Sequence, residues 1–252
     1  MTLRDFGMGK DSMEDRIHEE IKYTMDTLEK SIGQSISPQI MFHNASSNII
    51  CQVLFGRRYE YDDEVIKVIV QCFTENAKIS NGPWAMLYDS FPIIRSLPLP
   101  FRKAFKNVET CQKLAISWMN EHKQTRVPGD PRDFVDCYLD RLDKAGDDQT
   151  SFSEAQLTMY ILDLHFAGTD TTSNTLLTGF LYLMNYPHIQ GPRMCLGEGL
   201  ARMELFLIMV TLLRKFKFIW PEDAGEPDYT PVYGVTLTPK PYRMKVQLRK
   251  TN

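Results

Sequence analysis

The sequence contains no apolar run long enough to cross a bilayer, which takes about 20 residues in succession. Its opening segment, Met1–Lys10, is polar and charged and reads as neither a signal peptide nor an anchor. There is no disulfide framework to read, because the five cysteines are odd in number and lack paired spacing. No C-x-x-C occurs and the five histidines form no H-E-x-x-H, which argues against a zinc site. Positive charge is not in excess either. With 29 Lys and Arg against 32 Asp and Glu the net charge is -3, and no basic cluster is interleaved with aromatics. That balance excludes a nucleic-acid footprint. Internal repeats and low-complexity segments are also missing, and the cysteines read as reduced and cytosol-facing.

What is present is helix after helix, in a chain of 252 residues whose 43% apolar content is enough for a sizeable core. Ile17, Ile21, Met25 and Leu28 make an amphipathic stripe over about 12–32. Ser37 and Pro38 open a second helix, ended by Gly56, and Asp62-Asp63-Glu64 opens a third that runs to about Asn81. Trp84–Pro100 is apolar but broken by Pro92 and Pro98, so it cannot be one helix. It reads either as a loop tucked onto the core or as an interfacial segment. Helical spacing returns over about 101–123, 131–144 and 198–214. The longest helix is expected over 153–186, where Ser151-x-x-Glu154 and Ser153-x-x-Gln156 both fit a capping box and Pro187 ends the pattern. Alternating apolar residues at 216–220 and 235–248 predict short strands, with a hairpin around Thr238–Pro241.

Two stretches carry chemistry. Gly191-Pro-Arg193-Met-Cys195-Leu-Gly197 places one cysteine in a glycine-bounded loop at the mouth of an apolar helix. The positive end of a helix and its free N–H groups lower a thiol pKa from about 8.5. A thiolate held there is a soft metal ligand, and haem iron is the leading candidate. Cys51, Cys72, Cys111 and Cys137 lack such surroundings and read as buried structural residues. The second stretch, Ala167-Gly-Thr-Asp-Thr-Thr172, lies inside the long helix, where its glycine alone costs about 1 kcal/mol. Gly168 and Thr171 share a face with Leu164 and Thr175, Thr171 can hold a ligand or water, and Asp170 adds a titratable carboxylate. His165 reads as a packed helix residue rather than a ligand.

G-x-R-x-C-x-G followed by a helix resembles the haem-binding signature of the cytochrome P-450 monooxygenases, and the flanking words look like the vertebrate microsomal family-2 group. The hexapeptide 167–172 resembles that family's oxygen-binding motif. The resemblance implies a mainly α, incomplete cytochrome P-450 fold with a small C-terminal β region. It implies a single partial domain over 1–252, made of a helical part (1–190) and a part holding the haem–thiolate loop, the following helix and the strands (191–252). By the same resemblance haem b is the cofactor, Cys195 its axial metal ligand, and Arg193 the partner of a propionate. Gly191 and Gly197 then permit the turn and the close approach to the porphyrin. Thr171, Asp170 and Gly168 become the catalytic residues. The implied reaction inserts one oxygen atom from O₂ into a fatty acid, steroid or xenobiotic. Electrons would come from a flavoprotein reductase, which Arg202, Arg214, Lys215 and Lys217 would attract unless they form only a solvated basic face. The implied location is the cytosolic face of the endoplasmic reticulum membrane, with Trp84–Pro100 touching the membrane surface.

Three of that family's fixtures are missing. Trp84, Trp118 and Trp220 are followed four residues later by Tyr88, His122 and Ala224, so there is no W-x-x-x-R. No glutamate has an arginine three residues later, and His188 stands where the cysteine signature begins with phenylalanine. The sequence therefore reads as a member trimmed at its start and lacking an internal segment between Gln190 and Gly191. Distance agrees. From Thr171 to Pro187 a helix advances about 24 Å, and from Pro187 to Cys195 an extended chain reaches at most about 29 Å. The turn-rich loop at 191–197 cannot also be straight, so an intact two-sided haem site is not expected. The alternative expectation is a non-catalytic variant that binds haem weakly or occupies a partner.

Overall fold

The computed structural model describes residues 11–145, 152–186, 198–232 and 236–249. In order they form α1 (Asp11–Lys30), β1 (Ser35–Ile36), α2 (Pro38–Phe55), α3 (Glu64–Asn81), α4 (Pro83–Ser90), a 3₁₀ turn (Pro92–Ser96), α5 (Pro100–Thr125) and α6 (Phe134–Ala145). Then come α7 (Glu154–Asn185), α8 (Glu198–Lys215), β2 (Phe216–Ile219), a second 3₁₀ turn (Glu222–Ala224) and β3 (Met244–Leu248). The mainly α expectation holds, with β2 and β3 near the C-terminus as expected. Two compact units share these elements, and the divisions fall inside α2 and α7.

In the first unit, α3 begins where Asp63 accepts a hydrogen bond from Val65 N at 2.8 Å, capping a free donor of the first turn. Helix α5 packs on α3 through Asn107, whose amide reaches Glu75 and Asn76. Phe55, at the end of α2, lies 4.2 Å from Trp118 of α5, ring centre to ring centre. Gly56 then ends α2 with φ 64°, and a Cβ there would meet Asp133 Oδ2 at 3.2 Å. Conformation and space both require glycine.

Asp133 is the knot of this unit. Its Oδ1 accepts from Asp136 N (2.9 Å) at the start of α6, and its Oδ2 faces His122 Nε2 at 2.8 Å. His122 Nδ1 lies 2.7 Å from the Trp118 carbonyl, which can only accept. Both ring nitrogens must therefore donate, so His122 sits as an imidazolium against a buried carboxylate. Burial works against that charge, yet the hydrogen bond and charge of Asp133 outweigh it and hold the His122 pKa above its usual 6.5. Nearby, Arg132 forks onto Asp136 (2.6 and 3.1 Å), while Arg126 pairs with Asp140 (2.7 Å) and Asp143.

The second unit is built around α7. Phe180 stacks on Phe42 of α2 at 5.0 Å and meets Phe218 of β2 edge-on at 4.7 Å. The sheet runs β1-β3-β2, both pairings antiparallel, with Phe218 opposite Val246 and Ile36 opposite Met244. The pleat sends Phe216, Phe218, Met244 and Val246 inward. Ile17, Ile21 and Leu28 of α1 are fully buried, as the stripe predicted, and α1 packs on α8.

Two details differ from the sequence reading. Residues 239–243 take no strand conformation, so the hairpin expected around Thr238–Pro241 does not form, and Thr238 pairs instead with Val232 in an isolated bridge. Prolines cannot donate to a ladder, so pairing starts only at Met244. The short β1 was not foreseen, since two residues carry no periodic signal.

The His122 pair sets a pH dependence. A pKa raised in the fold contributes stability in full below about 6.5, and that contribution is lost as pH rises through the folded value. We expect the melting temperature to decline over this window in the parent protein and to lose that slope in His122→Ala. Asp133→Asn is expected to cost about 3–5 kcal/mol by urea titration, since it strands a buried charge.

Candidate functional site

Helix α7 presents the hexapeptide found in the sequence. Its start is capped by Ser153, whose Oγ accepts from Gln156 N at 3.1 Å, the second of the two boxes foreseen. The helix continues unbroken through Gly168 to Asn185. Ser173 donates to the Thr169 carbonyl (2.8 Å) and Thr175 to that of Thr171 (2.7 Å). These hydroxyls satisfy themselves one turn back, so polar residues fit a long helix without breaking it.

Within the second unit the helix has two unlike faces. Thr172, Ser173, Leu176, Leu177 and Phe180 form a buried stripe, whereas Thr171 and Thr175 are exposed and Gly168 is half-buried. The face that carries the expected catalytic residues is thus open. Asp170, at its edge, is already engaged. Its Oδ2 accepts from the Thr236 hydroxyl at 2.6 Å, and Thr236 in turn accepts from Asn174 Nδ2 at 3.0 Å. Tyr242 adds a bond from its hydroxyl to the Leu177 carbonyl at 2.7 Å. The C-terminal segment is therefore tied along α7 at two levels. Neither Thr236 nor Asn174 was singled out from sequence, because their meeting is a tertiary event.

Glu204 was also missed. It lies on α8, 1% exposed, and burial pushes its carboxyl up to about 8, against a smaller opposing effect of the Thr172 hydroxyl. A lone glutamate between apolar neighbours in Met203–Phe206 was the available signal. His165 is buried against Phe73 (5.5 Å), and burial lowers its pKa to about 4. It is the packed residue the sequence suggested. Cys51, Cys72 and Cys111 are buried as expected, and Cys137 is half-buried.

Cys195, Arg193, Gly191 and Gly197 lie outside the described residues. The helix expected after them is present as α8. On and beyond it Arg202, Arg214 and Lys217 are exposed, and Lys215 pairs with Glu29.

One further group of metal-ligating types occurs among the described residues. Donor atoms of His122, Asp133 and Asp136 lie within 4.8 Å of one another. They do not form a metal centre, because both His122 nitrogens donate and Arg132 occupies both oxygens of Asp136.

The sequence model of the cytochrome P450 family matches residues 1–191 and 190–246. The chain belongs to this family. It is 39% identical over 190 residues to cytochrome P450 2F2 of Rattus norvegicus and 37% to cytochrome P450 2B4 of Oryctolagus cuniculus, covering 75% of this chain and 39% of each relative. It is 38% identical over 191 residues to cytochrome P450 2J5 of Mus musculus, covering 75% of the chain and 38% of the relative. The matched segment thus spans about two fifths of the length of these curated relatives. The two stretches of the P450 match meet at Gln190–Gly191, between α7 and α8.

Glu204 gives this site a measurable signature. Its folded pKa is raised, so the unfolded chain releases the proton first and stability falls as pH rises from about 4.5 to about 8. Glu204→Gln is expected to remove that decline and to raise the melting temperature at pH 8, as calorimetry across the range would show.

Proposed function

We propose that this chain descends from haem–thiolate monooxygenases and carries two of their working parts, the oxygen-side helix α7 and the cysteine loop. The observation that carries this reading is the open, hydroxyl-bearing face of α7 at Gly168, Thr171 and Thr175, beside a helix stripe that is otherwise buried. The donor types fit haem b. A thiol at Cys195 suits the iron, a guanidinium at Arg193 suits a propionate, and glycines at 191 and 197 admit close backbone approach. Haem held through a thiolate supplies the iron at which O₂ is activated for insertion of one oxygen atom into an apolar substrate. The chain's own residues then divide the remaining work. Thr171 stands on the exposed face of the helix, and Asp170 places a carboxylate at its edge. Thr236 orients that carboxylate by its hydrogen bond.

The family also implies a flavoprotein reductase as electron donor and a place on the cytosolic face of the endoplasmic reticulum membrane. Exposed Arg202, Arg214 and Lys217 support contact with an acidic partner. The segment 84–100 supports contact with a membrane surface, because no residue of α4 or the following 3₁₀ turn is buried. Met86 (74%), Phe91 (54%) and Ile93 (85%) stand exposed instead. Among the described residues no helix is long and apolar enough to cross a membrane. Fatty acids, steroids and xenobiotics all remain within the substrate class.

A second reading, a non-catalytic variant with weak haem binding that occupies a partner, is favoured for the chain standing alone. The Asp170 carboxylate is already bonded to the C-terminal segment. The two stretches of the P450 match abut directly, and no E-x-x-R occurs in the sequence. One measurement decides between them. The chain is expressed with haem supply and reduced, carbon monoxide is added, and the Soret band is recorded. Weak or no thiolate-type signal is the expected outcome. A full red-shifted band that disappears in Cys195→Ala would restore the enzyme reading for this chain.

A further inference from the structure

Cys72 on α3 and Cys111 on α5 are buried free thiols in the first unit. Four hydrogen bonds fix how these helices lie against each other. Asn107 Nδ2 donates to Glu75 Oε2 and to Asn76 Oδ1, each at 3.0 Å, Asn76 Nδ2 donates to the Ala104 carbonyl at 3.2 Å, and Lys103 Nζ donates to Glu75 Oε1 at 2.9 Å. Residues 75 and 76 thus face 103–107, and the interaction of Cys72 with Cys111 one turn away sets the two helices running in opposite directions. One turn further along the same seam, residue 72 meets residue 111. The two thiols are in side-chain contact there, and Ile69 and Ala115 continue the seam as buried residues.

We propose that Cys72 and Cys111 form an oxidation-sensitive dithiol, which a hydroperoxide converts into a disulfide stapling α3 to α5. In the first step the Cys72 sulfur, as thiolate, attacks hydrogen peroxide. The O–O bond breaks, one oxygen stays on sulfur as a sulfenic acid, and the other leaves as water. The Cys111 sulfur then displaces the sulfenic oxygen, the S–S bond forms, and a second water departs. Two thiols lose two protons and two electrons, and the peroxide is reduced by both. Burial raises both thiols, and the neighbouring thiol opposes that rise at Cys72 while adding to it at Cys111, so Cys72 is the attacking group. Helix α4 and its 3₁₀ turn lie between the two cysteines in sequence. The bond therefore closes α3, α4 and α5 into one covalent loop, which restricts the unfolded chain.

The test uses the full chain treated with hydrogen peroxide, blocked with a maleimide and digested without reductant for mass spectrometry. We expect a linked pair of peptides containing Cys72 and Cys111, two hydrogens lighter than the separate thiols and released by dithiothreitol. The melting temperature is expected to rise on oxidation and fall back on reduction. Cys72→Ser and Cys111→Ser each abolish the link, whereas the double variant Cys51→Ser, Cys137→Ser retains it. Recovery of Cys72 and Cys111 from the oxidised parent protein as maleimide adducts or as separate sulfinic acids overturns the proposal, and that result requires no variant to fold.

Discussion

The contact of Phe180 with Phe42 on one side and Phe218 on the other is the constraint on which the second unit depends. It joins α2, α7 and the sheet through one fully buried ring. Aromatic pairs at such distances add roughly 0.5–1.5 kcal/mol beyond the area they bury. Their larger effect here is directional. With Phe180 inward, the 3.6-residue period turns Thr172, Ser173, Leu176 and Leu177 inward as well and leaves Thr171 and Thr175 facing out. The packing of one ring thus decides which side of α7 is exposed.

The same orientation explains the course of the C-terminal segment. Tyr242 finds the Leu177 carbonyl and Thr236 finds Asp170, so the segment follows the edge of α7 before β3 joins the sheet. The Asp170 carboxylate is held there by the Thr236 hydroxyl.

Buried charge is handled in two opposite ways. In the first unit His122, Asp133, Asp136 and Arg132 are matched donor to acceptor, and they hold the α5–α6 connection in one geometry. In the second, Glu204 is buried so deeply that its neutral form is favoured. Both effects act with the same sign, weakening the fold as pH rises. They arise from different physics, loss of a charge pair in one unit and forced ionisation of a buried acid in the other.

Much of the secondary structure was legible from sequence, because helix caps and periodic stripes are local. Asp63, Ser153 and Gly56 act where their residue types predicted. The family was legible too, since its two motifs are contiguous words and need no fold to be read. The strand β1, the Thr236–Asp170 tie, the burial of Glu204 and the facing thiols were not legible. Each joins residues far apart in the chain, and a local pattern carries no record of them. Sequence by itself determined that the chain is a helical cytochrome P450 bearing Cys195 and the 167–172 motif. Only the tertiary structure decided which side of α7 opens outward and which of its groups are already taken, because those outcomes depend on packing between elements rather than on any residue's own preference.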